Sequence, residues 1–299
     1  MLMEMLKRCI PDSIYLRLLY YRRLGGGVNL KNPKTFNEKL QWLKLYDRNP
    51  EYTRMADKCD AKEYVANIIG RQHIIPTLGV WTRFDEINFD ELPEKFVLKC
   101  THDSGGIVIC NDKDKFDKPA AKSKIEKSLK RNYYWAGREW PYKNIKPRII
   151  AEKYLADAED NQIADELRDY KFFCFHGKVR CFKIDFDRFT NHRANYYSTE
   201  KKLLKFGVKE FPPDFSKNLD IPPNINDMIR LAEKLSAGYP FIRVDLYDIA
   251  GQIYFGELTL YPACGFGAFI PPEWDLKLGE YLQLPAKRSH KYFKCGDKK

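Results

Sequence analysis

Two strand–turn–strand runs in the C-terminal half constrain this chain more than any other feature. The first is Tyr170-Lys171-Phe172-Phe173-Cys174-Phe175, a turn at His176-Gly177, and a return through Val179-Arg180-Cys181-Phe182-Lys183-Ile184. The second is Phe241-Ile242-Arg243-Val244-Asp245-Leu246-Tyr247, a turn near Gly251, and a return through Ile253-Tyr254-Phe255-Gly256-Glu257-Leu258-Thr259-Leu260. β-Branched and aromatic runs on either side of a glycine turn form hairpins, and hairpins build antiparallel sheet. Earlier in the chain the period is helical. Thr35 and Glu38 form a capping-box pattern, with Phe36, Leu40 and Leu43 following at helical spacing. Helices are expected over 57–69, stopped by Gly70, over the basic stretch 118–132, and over 225–237, stopped by Gly238. Strands are expected at Phe96–Cys100, Ile107–Cys110 and 148–155. The fold class is therefore α+β.

At 299 residues the chain exceeds one typical hydrophobic core. The pattern divides it into a helical N-terminal region (1–80), a first α+β subdomain (81–156), a second (157–285) and a basic tail (286–299). The acidic, polar stretch 157–166 reads as a linker between the subdomains. The net charge of +11 favours anionic partners but is dispersed along the chain, so no nucleic-acid stripe is expected. Eight cysteines without a C-x-x-C pair read as reduced, mostly buried thiols of a cytoplasmic protein. Cys100 and Cys110 are placed to face each other across a hairpin, with no bond expected. No secretory signal or membrane-spanning run is evident. The apolar, basic segment 14–23 has three readings: a helix packed on its own protein, one touching the inner membrane surface, or one lying on a partner.

Three groups of residues carry chemistry. Arg243 and Asp245 share one face of their strand, and Glu257 and Thr259 share one face of the next. A three-residue loop, Ile249-Ala250-Gly251, gives the register that brings all four together. Two carboxylates on one sheet face repel, and Mg²⁺ would remove the repulsion; the other reading is a surface salt-bridge ladder. Arg243 offers a planar fork for phosphate or carboxylate. Lys99 ends a strand just before Thr101-His102-Asp103-Ser104-Gly105-Gly106, whose glycines let backbone N–H groups face an anion. Lys171 sits among apolar neighbours and needs an anionic partner, unless it snorkels at a sheet edge.

These motifs, in this order, resemble an ATP-grasp enzyme. The whole chain also resembles the TupA-like ATP-grasp family, over residues 11–269. The resemblance rests on Asn32-Pro33-Lys34-Thr35-Phe36-Asn37-Glu38-Lys39-Leu40-Gln41-Trp42, Ala56-Asp57-Lys58, Leu92-Pro93-Glu94-Lys95-Phe96-Val97-Leu98-Lys99-Cys100, Pro147-Arg148-Ile149-Ile150-Ala151-Glu152-Lys153-Tyr154-Leu155, Asp169-Tyr170-Lys171-Phe172 and Gly256-Glu257-Leu258-Thr259-Leu260-Tyr261-Pro262.

The resemblance implies a fold of two α+β subdomains clamping ATP, and a role for each motif. Lys99 and Lys171 would bind the phosphates, and the Ser104-Gly105-Gly106 loop would close over them. Glu152, Lys153, Tyr154 and Leu155 would hold adenine. Asp245 and Glu257 would coordinate Mg²⁺, with Thr259 standing where many such enzymes have Asn. Arg243 would act with Lys171 as a catalytic residue and stabilise the transferred phosphoryl group. The activity implied is carboxylate–amine ligation through an acyl phosphate, in a cell-surface polysaccharide or capsule pathway. The carboxylate would be a uronic acid, received by Arg188, His192 and Arg193. His102 is a candidate general base or a solvent-exposed histidine. The rivals are an ATP-grasp kinase, a glycosyltransferase using the D-x-D of Asp185 and Asp187, and a polyanion-binding module without catalysis.

Overall fold

The computed structural model describes residues 8–155, 168–188 and 190–287. The linker stretch, most of the basic tail and Cys295 lie outside the described residues. Helices α1 (Asp12–Leu24), α2 (Phe36–Tyr46), α3 (Glu51–Ala56) and α4 (Asp60–Ile69) precede the sheets. The capping box forms as expected. The Thr35 hydroxyl accepts from the Glu38 N–H at 3.3 Å, and the Glu38 carboxylate accepts from the Thr35 N–H at 3.2 Å. The expected helix over 57–69 starts later, at Asp60. Asp57 instead accepts from the Cys59 and Asp60 N–H groups with its side chain, which suits a residue just ahead of a helix rather than inside one.

Two antiparallel sheets follow. The first has the order β1-β4-β2-β3, from β1 (Thr77–Trp81), β2 (Phe96–Cys100), β3 (Ile107–Cys110) and β4 (Ile149–Lys153). β1 begins ahead of the expected boundary at residue 81; its exposed, glycine-containing run carries no clear alternation that would mark it as a strand. Helix α5 (Lys118–Leu129) packs on this sheet, and Phe96, Leu98, Ala121, Ile125, Ile149 and Ala151 form a separate core there. Cys100 and Cys110 do not face each other. Cys110 pairs with Phe96, whereas the Cys100 N–H donates to the Gly106 carbonyl at the other end of the hairpin.

After the short helix α6 (Tyr134–Gly137), the second sheet has six strands. They are β5 (Asp169–Phe175), β6 (Lys178–Phe186), β7 (Arg193–Tyr197), β8 (Leu203–Leu204), β10 (Phe241–Ile249) and β11 (Gln252–Thr259), in the order β11-β10-β5-β6-β7-β8. β9 (Gly207–Val208) pairs instead with β12 (Phe269–Ile270). Helix α7 (Ile225–Ser236) covers the larger sheet with Ile225, Met228, Ala232 and Leu235, all fully buried. Helix α8 (Glu273–Tyr281) packs on α2. Each sheet thus has its own core, which fits two α+β subdomains.

Both long hairpins are present. His176 and Gly177 take φ of 50° and 75°, and Ala250 and Gly251 take 48° and 84°. Positive φ at both central residues is the signature of a tight two-residue hairpin turn. The second loop is therefore two residues long, with Ile249 opposite Gln252, not the expected three. A bulge at Gly256 restores the even register, so that Asp245 opposes Glu257 and Arg243 opposes Thr259. A Cβ on residue 256 would sit 2.9 Å from the Tyr247 ring and 3.1 Å from the Asp245 carbonyl, so the bulge needs glycine.

Candidate active site

A cleft of about 340 Å³ lies between the two sheets. The smaller sheet contributes Lys99, Ile107 and Glu152; the larger contributes Asp169, Lys171, Lys183, Asp185, Arg243, Asp245, Tyr247 and Glu257. Lys58 and Lys62 reach it from the start of the α4 region, and Arg188 and His192 from the connection after β6. Thus seven Lys and Arg side chains face five carboxylates in one space, which favours an anionic occupant over a neutral one.

On the small-sheet side, the buried Glu152 carboxylate receives both Lys62 Nζ and Lys99 Nζ at 2.6 Å. Burial works against the Lys99 ammonium, but Glu152, Tyr247 and Glu257 together outweigh it and its pKa rises above the ordinary value. Burial also works against ionised Glu152, yet the two lysines hold its carboxyl low. Lys62 ends below its ordinary value, since burial dominates there. Lys58 is likewise lowered by burial, against the pull of Glu257, and its ammonium donates to the Asp103 carbonyl.

On the large-sheet side, Lys171 bonds Asp169 and lies 3.1 Å from Asp185 and 3.8 Å from Asp245. Lys183 reaches Asp185 at 3.1 Å, and His192 Nε2 lies 2.9 Å from the same carboxylate. Burial brings the Lys183 pKa down to about 8 despite Asp185. Arg188 bonds Asp169. At the ribbon, Arg243 grips Asp245 through Nε and Nη2, both at 2.7 Å, and reaches Glu257 at 2.8 Å. The Thr259 hydroxyl donates to Glu257 at 3.0 Å. Burial raises the Asp245 pKa, opposed by Arg243. Burial also acts on Glu257, but Arg243, Lys58 and Lys171 hold it down at about 2.

The residues chosen for phosphate and metal chemistry therefore converge: Lys99, Lys171, Arg243, Asp245 and Glu257 share the cleft, with Thr259 behind Glu257. Arg188 and His192 share it too. Arg193 does not; it lies in β7 and its guanidinium reaches the Pro213 carbonyl at 3.5 Å. Ser104, Gly105 and Gly106 are not among the lining residues. Gly105 takes φ 108°, and a Cβ on Gly106 would strike the Ser128 hydroxyl, so each glycine has a local reason. Glu152 enters the cleft by its carboxylate. Its strand is paired on both sides, and the Lys153 N–H donates to the Pro76 carbonyl. Of the four residues assigned to adenine, only Tyr154 and Leu155 lie beyond the paired strand.

His102 is neither exposed nor in the cleft. It is buried, with Nε2 3.1 Å from the Ser128 carbonyl and 3.2 Å from that of Arg131, so it ties the loop to the end of α5. Nor do Asp185 and Asp187 form a metal pair. Asp187 leaves the strand at φ 55° and pairs with Lys217, while Asp185 pairs inward with Lys171 and Lys183. Sequence reading gave no role to Lys58, Lys62, Asp169 or Tyr247. Lys62, at one position of an amphipathic helix, looks like any solvated lysine until the sheet folds over it.

The donor set fits Mg²⁺ arriving with phosphates. That ion is usually held by one or two carboxylates plus substrate oxygens and water. Asp245 and Glu257 supply two opposed carboxylates, and among the described residues no larger cluster of His, Cys, Asp and Glu forms a protein-only cage.

Two α+β subdomains, each with its own sheet and core, enclosing a cation-rich cleft, define an ATP-grasp fold. The chain belongs to the TupA-like ATP-grasp family, whose model, TupA-like ATPgrasp, matches residues 38–283. Among curated proteins none matches the chain. Among solved structures, the D-alanine–D-alanine ligase of Bacillus anthracis is 16% identical, with a TM-score of 0.38 over 69% of this chain and 57% of that one. The D-alanine–D-alanine ligase of Helicobacter pylori is 11% identical, with a TM-score of 0.41 over 86% and 68%. A RimK-domain ATP-grasp protein of Sphaerobacter thermophilus is 10% identical, with a TM-score of 0.41 over 79% and 70%. The chain thus spans less than two thirds of the Bacillus protein. Similarity at this level adds no functional detail.

Proposed function

We propose that the protein is an ATP-dependent carboxylate–amine ligase that forms an amide through an acyl phosphate. The observation that carries this is the single cleft joining Lys99 and Lys171 to the Arg243–Asp245–Glu257 cluster. Lys99, Lys58 and Lys62 would hold nucleotide phosphates from one side and Lys171 from the other. Arg243, fixed in plane by Asp245, would meet the charge that builds on the transferred phosphoryl oxygens. Asp245 and Glu257 would hold Mg²⁺, which would supply positive charge against the phosphates. Tyr154 and Leu155 would meet the base, and the loop at 104–106 would cover the phosphates.

The carboxylate attacks the γ-phosphorus and the β–γ bridging oxygen leaves with its electrons on ADP. The amine then attacks the acyl carbon, loses a proton and expels phosphate. Arg188 and His192 would receive the acidic acceptor, for which a uronic acid of a cell-surface polysaccharide is the proposed class; Arg193, at the start of β7 with its guanidinium turned to the Pro213 carbonyl, would not share that role. The test is ADP release with glucuronate or a glucuronate oligomer plus an amine, with the amide identified by mass. ADP released with a hydroxyl acceptor alone, giving a phosphate ester, would make the protein a kinase and refute the ligase.

The pH response should expose Lys183. With a pKa of about 8 it is a cation below that pH and neutral above it. The kcat/KM for ATP should therefore decline as pH rises through about 8, since kcat/KM reports the free enzyme. Lys183→Arg, which stays charged, should remove that decline; an unchanged profile would show that Lys183 plays no part in holding the nucleotide.

A further inference from the structure

We infer that helix α1 and the groove beside it dock the protein on an anionic lipid bilayer. Ile14, Leu18 and Tyr21 are 50%, 61% and 67% exposed, while Leu16 and Tyr20 on the same helix are buried. At 100° per residue the three exposed apolar side chains fall within a stripe about 60° wide, opposite the buried pair. Arg17 and Arg22 border that stripe, one on each side. The helix has one acidic residue, Asp12, which is turned to the protein and held by Tyr134, Arg48 and Arg138.

A groove of about 840 Å³ runs along this helix. Its walls hold Arg8, Arg22, Arg23, Lys130 and Arg131 and no carboxylate, though Arg131 is paired with Asp103 at 2.8 Å behind the wall, so the charge of the groove rests on Arg8, Arg22, Arg23 and Lys130; Leu18 and Trp135 also line it. Arg8 stands over the Trp135 ring at 5.3 Å. Arginines beside an aromatic ring and a solvent-facing apolar stripe match the boundary between headgroups and acyl chains. A soluble polyanion would use the cations but leave Ile14, Leu18 and Tyr21 in water, so the lipid surface accounts for more of the face. No helix among the described residues is long and apolar enough to cross a membrane. Arg131 also donates to the Ser104 carbonyl at 2.8 Å, so the groove adjoins the glycine loop. This inference stands whether or not the ligase proposal holds.

The test is flotation of the full chain with vesicles of phosphatidylcholine containing about one third phosphatidylglycerol, against phosphatidylcholine alone, at physiological salt. Binding should be strong only to the anionic vesicles. Leu18→Glu and the pair Arg22→Glu with Arg23→Glu should each lower it about tenfold or more, since apolar burial and charge both contribute. These side chains face solvent, so the melting temperatures should stay near that of the parent. Failure to float overturns the inference. So does binding that survives Leu18→Glu unchanged, or retention by a soluble polyuronate without binding to vesicles.

Discussion

Glu257→Gln should lower ATP-dependent ADP release by about 100- to 1,000-fold, the scale seen when one group facing transition-state charge is lost, while the melting temperature stays close to that of the parent protein. The Glu257 side chain is 47% exposed against 3% for Asp245, so replacing it leaves less charge stranded out of water than a change at Asp245 would. Glutamine keeps the shape and can still accept from Arg243, but it removes the negative charge that would hold Mg²⁺ opposite Asp245. Asp245→Asn should abolish turnover as well, yet it is the poorer probe. Asp245 is buried and receives two bonds from Arg243, and neutralising one member of a buried pair strands the other charge. Steady-state ADP release together with a thermal melt separates the outcomes. A Glu257→Gln protein that melts normally and turns over normally would remove the acid pair from the chemistry.

The largest loss of stability is expected from Glu152→Ala. Glu152 sits between Lys62 and Lys99, with side-chain exposures of 6%, 10% and 18%. Removing the acid leaves two lysines facing each other out of water, a change that costs about 3–5 kcal/mol. For a domain of this size that corresponds to a fall of roughly 6–20 °C in Tm. Polyphosphate or ATP should recover part of it, because a bound anion takes over the missing charge and a ligand that binds only the folded chain stabilises it. The sign with pH follows from the lowered Glu152 pKa. Its stabilising contribution is full above the ordinary carboxylate range and is lost as pH falls through the lowered value. A Glu152→Ala protein melting within a degree or two of the parent, with no response to polyphosphate, would show that the three charges are not coupled as the structure has them.

Much of the fold was legible because local signals agreed. The capping box at Thr35 and Glu38, the turn at His176-Gly177 and the apolar stripe of 225–237 each specify backbone and burial together. The acid pair was legible because the two-residue period of a strand puts Asp245 beside Arg243. Its register was right by parity but by another route: a tight turn at Ala250-Gly251 combined with a bulge at Gly256. Nothing local separates those two solutions, since a bulge is seen only when the partner strand is present. Lys58 and Lys62 were hidden for a similar reason. Their role comes from the small sheet that folds over α4, not from their neighbours in sequence. His102 misled in the opposite sense, because a polar loop between two glycine-flanked strands looks solvated until α5 caps it. Cys100 and Cys110 look like a facing pair only when the loop is taken to be tight; residues 101–106 carry them to opposite ends of the hairpin.

The most direct measurement is isothermal titration of the full chain with a non-hydrolysable ATP analogue, with and without Mg²⁺, beside Lys99→Met and Lys171→Met. Each variant leaves the partner acids paired, Glu152 with Lys62 and Asp169 with Arg188, so both should fold. One Mg²⁺-dependent site is expected, weakened about tenfold or more in either variant. Undiminished binding in both variants, or binding indifferent to Mg²⁺, would contradict a nucleotide cleft built between the two sheets.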